Sequence, residues 1–165
     1  TKERWWLAGN HEDRLRRYIW SRAPDLGVVE AMNFPSLFHV EDHGFRWKEY
    51  GRIVRLGKLI VTHGTIARTH SGWSAKKNFE TFGSSVLTGH SHRLGIYYRT
   101  NQRGVHASYE NGCLCRLDAE YIQFPDWQQG FSVVHVDESG AFHVQQIPVL
   151  GRRSFYYGSE RFWAA

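Results

Sequence analysis

The apolar residues of this chain fall into short runs, and each run ends at a sharp polar turn. Three of these runs, Trp5–Ala8, Leu59–Thr62 and Ser85–Thr88, are followed directly by glycine or histidine. Short apolar runs bounded by turn residues are typical of buried strands that are covered on both faces. We therefore predict three interior strands, with polar groups where each strand ends.

Longer segments that alternate apolar and polar residues predict hairpins. The predicted pairs are Phe45–Leu56 with Lys58–Thr62, Ile96–Thr100 with Val105–Tyr109, and Phe131–Val136 with Phe142–Val149. The first of these hairpins turns at Gly57-Lys58. The segment from Asn111 to Gln129 shows neither alternation nor helical spacing, so we predict that it is irregular.

Few segments have the apolar spacing of an amphipathic helix. Glu12–Arg22 has it and is closed by Pro24, and Trp73–Phe82 is the second predicted helix. Ala31–Phe38 contains Pro35, so it is predicted to be irregular or a short helix. Many strands and few helices together indicate an α+β fold, or mixed α/β, of stacked sheets flanked by helices.

The length of 165 residues suits one domain with a substantial core. We assign residues 1–150 to this domain and the aromatic, basic residues 151–165 to a C-terminal tail. The chain begins without methionine and soon enters the apolar run at Trp5. Because an interior strand rarely opens a protein, we expect this chain to be the later part of a longer one.

The charge balance favours an anionic partner. Lysine and arginine number 21 against 16 acidic residues, a net charge of +5, which favours a phosphoester, nucleotide or nucleic acid. No apolar run approaches the roughly 20 residues that span a bilayer, so no membrane partner is expected. Cys113 and Cys115 are too close in sequence for an unstrained disulfide. This favours a reduced, cytoplasmic protein, with both cysteines as core or loop thiols rather than metal ligands.

Ten histidines are many for a chain of this length, and several of them stand at the predicted strand ends. The three turns read Gly9-Asn10-His11-Glu12, His63-Gly64 and Gly89-His90-Ser91-His92. Histidine and asparagine are metal-ligand types, and glycine beside them allows a close approach of the backbone. Strand ends hold short loops in a rigid register, which is what a binding site requires.

In their order and spacing these motifs resemble those of the calcineurin-like metallophosphoesterases, in particular small phage and bacterial members. The resemblance covers residues Trp5 to Gly112. It implies an αββα sandwich, here lacking its N-terminal strands and helix. It further implies that Asn10, His63 and His90 bind one metal ion and that His92 binds another.

The resemblance also implies a reaction. Two divalent ions such as Mn, Fe or Zn would activate water to hydrolyse a phosphomonoester or phosphodiester. His11 would bind no metal but would stabilise or protonate the leaving group. Arg68, His70 and Arg93 flank the later motifs and are candidates to contact substrate phosphates.

Two upstream motifs of the family, Asp-x-His and Gly-Asp-x-x-Asp, do not precede Trp5 in this sequence. The second supplies the carboxylate that bridges the two ions. We therefore expect weak or single-metal binding by this chain, and little turnover by it alone.

Two other classes of protein fit the same residues. One is a non-catalytic nucleic-acid-binding or interaction module that keeps the fold without the activity. The other is a metal-binding structural fragment that assembles with another chain. An exposed sheet edge at Trp5–Ala8 would suit a homodimer.

Overall fold

A computed structural model describes residues 3–151 and 153–163 of the protein. The chain divides into two compact units, the first ending at Ile53 and the second beginning at Val54. The predicted mixed α+β class is confirmed, because strands predominate over a few helices. Within the described ranges, no helix is both long and apolar enough to cross a membrane. The assignment of residues 1–150 to one domain stays a prediction.

The first unit is built around a short parallel pair of strands and a cluster of aromatic rings. Its elements are β1 (Trp5–Leu7), α1 (Asn10–Arg22), two 3₁₀ turns (Pro24–Val28 and Glu30–Met32), α2 (Phe34–Leu37) and β2 (Arg46–Lys48). β1 and β2 pair in parallel, with Trp6 opposite Trp47. The Trp6 ring also lies 5.9 Å from Phe34 and 5.8 Å from Phe45, centroid to centroid. Aromatic packing therefore stabilises this unit.

The first helix begins two residues before its predicted start and ends where predicted, at Arg22. The Gly9 amide donates to Glu12 Oε2 at 2.7 Å, which satisfies a backbone donor at the helix start. Glu12 and Asp13 also place acidic groups in the first turn, where the helix dipole favours them. Asn10 and His11 consequently lie in the first turn of a helix, not in a loop before it.

The second unit contains a five-stranded sheet. Its strands are β3 (Ile53–Leu56), β4 (Leu59–Thr62), β5 (Val86–Thr88), β6 (Leu94–Asn101) and β7 (Gly104–Asn111), in the order β3-β4-β5-β7-β6. β4, β5 and β7 are parallel neighbours, while β6 and β7 form the predicted antiparallel hairpin. Helix α3 (Trp73–Phe82) connects β4 to β5 and has its predicted ends.

Two further hairpins complete the second unit. β8 (Gly130–Val136) pairs with β9 (Phe142–Pro148), as predicted. β10 (Ser154–Tyr157) pairs with β11 (Glu160–Trp163) inside the segment assigned to a tail. Phe155 of β10 packs on Phe131 of β8 with ring centroids 5.0 Å apart. The described residues of that segment thus form an ordered hairpin attached to the unit.

The core of the second unit lies on the sheet. Its buried members come from β4, β5, β7 and β9, namely Leu59, Leu87, Ala107, Tyr109 and Val144. Leu59 is fully buried. Ala75 and Phe79 of α3 are also buried. The apolar runs at Leu59–Thr62 and Ser85–Thr88 are therefore interior strands, as their composition predicts.

One predicted strand is wrong. Phe45–Leu56 is not a single strand, because the chain leaves β2 after Lys48 and turns at Gly51, where φ is +82°. β2 pairs with β1, and of the two strands in this segment it is β3 that lies next to β4. A left-handed φ is easily adopted by glycine, so Gly51 is where the alternation is interrupted.

The turn at Gly57-Lys58 lies directly against the turn between β8 and β9. The Lys58 amide donates to the Gly140 carbonyl oxygen at 2.8 Å. A Cβ atom on Gly57 would come within 2.4 Å of that oxygen, well inside contact distance. The close approach of the two turns therefore requires glycine at position 57, where φ is also positive, at +57°.

Candidate metal centre

The parallel pairing of β4 and β5 brings two predicted motifs together. Thr62 and Thr88 are register partners at the carboxyl ends of the two strands. The residues that follow them are therefore neighbours, and the Gly89 amide donates to the His63 carbonyl oxygen at 3.1 Å. His63 and His90 thus lie side by side at the carboxyl ends of these two strands.

The imidazole rings of these two histidines lie in contact. His63 Nε2 is 3.2 Å from His90 Nδ1, and the rings meet edge to face at 74°. Two nitrogen ligands bound about 2.1 Å from one tetrahedral ion are about 3.4 Å apart. The observed separation and the half-buried position of both residues therefore fit a shared divalent ion.

Gly64 makes the close approach of these turns possible. Its φ is +88°, and an added Cβ would lie 3.2 Å from Thr88 Cβ and 3.6 Å from His90 Cβ. A side chain at position 64 would therefore crowd both the end of β5 and the His90 turn.

The turn at residues 89–92 has an unusual backbone. His90 and His92 both have positive φ, at 23° and 59°. Residues other than glycine adopt this region at a cost of order 1–3 kcal/mol, and such conformations cluster at functional sites. The surrounding structure must offset this cost.

A buried glutamate holds this turn, although no sequence motif marks it. Glu110 is fully buried at the end of β7. Its Oε1 accepts from the Ala75 amide in the first turn of α3 at 2.9 Å, and its Oε2 accepts from Ser91 Oγ at 3.1 Å. Glu110 therefore joins the start of α3 to the histidine turn. No local pattern in the sequence indicates this role, which follows from the parallel pairing of β5 with β7.

The third predicted histidine ligand lies beside the two cysteines. One ring nitrogen of His92 and the two Sγ atoms of Cys113 and Cys115 lie within 4.8 Å of one another. Both cysteines are free thiols; Cys113 is half-buried and Cys115 exposed. Burial, together with the neighbouring Cys115 thiol, raises the pKa of Cys113 to about 12. The interpretation as simple core or loop thiols did not anticipate the histidine beside them.

The predicted substrate contacts have mixed surroundings. Arg68 and His70 are exposed, and the His70 ring packs edge to face on Trp73 at 4.5 Å. The Arg93 guanidinium is already engaged, donating to the Arg68 carbonyl oxygen at 2.7 Å and to Asp126 Oδ2 at 3.2 Å. A phosphate would have to compete with these two acceptors for Arg93. The substrate-binding roles of Arg93, Arg68 and His70 therefore stay predictions.

Asn10 and His11 belong to the first unit. Asn10 is half-buried and His11 is exposed on the first turn of α1. Beside them Asp13 is buried and paired with the exposed side chains of Arg16 and Arg17. Burial raises the pKa of Asp13, but hydrogen bonds and charge from the two arginines outweigh it, so the pKa lies below its usual 3.8. The roles of Asn10 and His11 stay predictions.

The chain is similar to two phage proteins. The Gene 54 protein of Mycobacterium phage D29 is 31% identical over 159 residues, and the Gene 54 protein of Mycobacterium phage L5 is 32% identical over 161. Each alignment covers 88% of this chain and 61% of the phage protein. The chain therefore spans less than two thirds of the length of these curated relatives. No protein-family profile matches the chain.

Proposed function

We propose that this chain is part of a metal-dependent phosphoester hydrolase of the metallophosphoesterase kind, built on an αββα sandwich. The observation that carries the proposal is the 3.2 Å approach of His63 Nε2 to His90 Nδ1 at the ends of two parallel strands. The names of the phage relatives specify no chemistry, so the proposal rests on the residues of this chain alone.

In this proposal His63 and His90 hold one divalent ion, and His92 is the predicted ligand of a second. Asn10 stays a ligand predicted from the sequence alone. Such ions supply charge neutralisation at the phosphoryl group and lower the pKa of bound water. The chain's own contribution is positioning: parallel strands fix His63 and His90, and Glu110 fixes the turn between His90 and His92 through Ser91. The role predicted for His11, protonation of the leaving group, belongs to the same proposal.

A phosphodiester, including a nucleic-acid strand, is the favoured substrate class. The net charge of +5 attracts polyanions. The same metal-activated water would also hydrolyse phosphomonoesters. Because the chain spans 61% of its phage relatives, the activity of a whole protein of this type is likewise a proposal.

The decisive experiment measures Mn²⁺ binding and hydrolysis of bis-p-nitrophenyl phosphate by the chain and its variants. We expect His90→Ala to weaken Mn²⁺ binding by about 100-fold or more, since losing a ligand exceeds the 10–100-fold effects typical of outer-shell changes. His143→Ala, on an exposed position of β9, is the matched control and keeps wild-type binding.

Equal Mn²⁺ affinity in the wild type and His90→Ala would overturn the proposal. So would the absence of hydrolysis in the whole Gene 54 protein of phage D29 with Mn²⁺, Fe²⁺ and Zn²⁺ each tested. Salt-dependent binding to DNA without metal binding or turnover would instead support the non-catalytic module.

A further inference from the structure

We propose that His92, Cys113 and Cys115 form a separate binding site for a thiophilic divalent cation of the Zn²⁺ type. This cation site does not depend on phosphoester hydrolysis, and it assigns His92 to a different ion. A His92 that binds an ion together with two thiolates is not available to the second ion of the proposed hydrolase centre. The two assignments of His92 are therefore alternatives that one experiment can separate.

The spacing of the three side chains suits one small ion. Their ligand atoms lie within 4.8 Å of one another. In a tetrahedral zinc site with Zn–S bonds near 2.3 Å, the sulfur atoms are about 3.8 Å apart. Closing the cluster onto an ion therefore needs shifts of about an ångström or less, which side-chain rotation supplies.

The backbone already holds the histidine and the first cysteine in place. Both are tied to the segment at residues 128–130. The Gln128 amide donates to the His92 carbonyl oxygen at 2.9 Å, and the Cys113 amide donates to the Gln128 carbonyl oxygen at 3.0 Å. The Gly130 amide donates in turn to the Cys113 carbonyl oxygen at 2.9 Å. One short segment thus fixes two of the three ligands before any ion arrives.

The remaining ligand and the histidine ring are also oriented. Gln129 Nε2 donates to the Cys115 carbonyl oxygen at 2.7 Å. The His92 ring packs edge to face on Trp127, with centroids 4.4 Å apart. Supporting contacts of this kind are what raise the affinity of a metal site above that of loose ligands.

The donor set defines the class of ion. Two thiolates and one imidazole favour Zn²⁺ and related borderline-soft ions and disfavour Mg²⁺, Ca²⁺ and Mn²⁺, which prefer oxygen. Cys115 is exposed, so an ion can reach the cluster from solvent. Three ligands among the described residues leave a fourth position for water or a small ligand.

The test uses Co²⁺ as a spectroscopic substitute for Zn²⁺, with a phosphine reductant to keep the thiols reduced. We expect one equivalent of Co²⁺ to give the thiolate-to-cobalt charge-transfer band and to be displaced by one equivalent of Zn²⁺. Cys113→Ser and Cys115→Ser should each weaken binding by about 100-fold or more and reduce the band. Serine is close in size to cysteine, and far-ultraviolet circular dichroism of each variant confirms that it is folded.

Two variants separate this site from the proposed hydrolase centre. His92→Ala should weaken the cobalt–thiolate band, while His90→Ala should leave it unchanged and lose Mn²⁺ binding. Absence of the band in the folded wild type, or a band that survives Cys113→Ser, would overturn the thiolate site. A retained band with no Mn²⁺ binding would overturn the hydrolase centre alone.

Discussion

Two buried acidic side chains lie next to the predicted site motifs, and their partners differ. Glu110, in the second unit, accepts from a backbone amide and a serine hydroxyl. Asp13, in the first unit, is paired with two arginines whose side chains are largely exposed. The first arrangement fixes the geometry of a turn through uncharged donors. The second is an electrostatic contact, which depends on pH and salt.

The difference predicts opposite responses to amide substitution. A glutamine at position 110 can point its oxygen at the Ala75 amide and its nitrogen at Ser91 Oγ, which can accept. An asparagine at position 13 turns its nitrogen toward a guanidinium, which has no acceptor to offer. The uncharged partners of Glu110 therefore tolerate an amide side chain, whereas the arginine partners of Asp13 do not.

The largest expected effect is that of Glu110→Ala, which leaves the Ala75 amide and the Ser91 hydroxyl without their acceptor in a buried space. We expect the free energy of unfolding to fall by about 3 kcal/mol, with Mn²⁺ binding at His90 weakened as the turn loosens. Urea denaturation measures the first effect and calorimetric titration the second. Glu110→Gln should retain most of the stability and most of the Mn²⁺ affinity. The exposed control Glu120→Ala should change neither quantity. A Glu110→Gln variant as unstable as Glu110→Ala would show that an amide cannot replace the carboxylate between these uncharged donors.

A smaller effect is expected for Ser91→Ala, which removes one of the two donors to Glu110. We expect a loss of about 1.5 kcal/mol in urea denaturation. Combined with Glu110→Ala in a double-mutant cycle, the two changes should be non-additive because the residues are in contact. Additive losses would show that Glu110 does not hold the turn through this hydroxyl.

The smallest effect is expected for Asp13→Asn, about 1 kcal/mol at neutral pH, because both arginines are open to solvent screening. The folded-state pKa of Asp13 is lowered, so its contribution is complete above the usual 3.8 and is lost as pH falls through the folded value. The difference between wild type and variant should therefore shrink below pH 3.8 and also in molar salt. A difference that persists at low pH would assign the effect of Asp13 to packing.

The sequence predicts those parts of the fold whose signals are local. Helix α3 has its predicted ends because Gly72 and Gly83, both at positive φ, lie on either side of it. β4 and β5 were predicted from continuous apolar runs, and their parallel pairing brings His63 and His90 together. Strand-end motifs are visible in sequence because the strand and its turn are contiguous.

The parts that were missed depend on contacts between distant residues. Glu110 and its partner Ala75 are separated by 35 positions, and an acid at the end of a strand is more often exposed. The cysteines meet His92 because an irregular segment folds back along residues 128–130, and apolar periodicity does not encode such a path. The hairpin after residue 153 lies in the segment predicted to be a tail from its aromatic and basic composition, which does not reveal strand pairing.

The contact between Gly57 and Gly140 determines where this protein can be modified for experiments. A peptide tag or fluorescent-protein insertion at residue 57 would force apart two turns that share a backbone hydrogen bond. Gly158, in the turn between β10 and β11, has open space where a Cβ would be. Insertions at that turn leave the centre of the second unit undisturbed, which makes it the attachment point for immobilising the chain in metal-binding measurements.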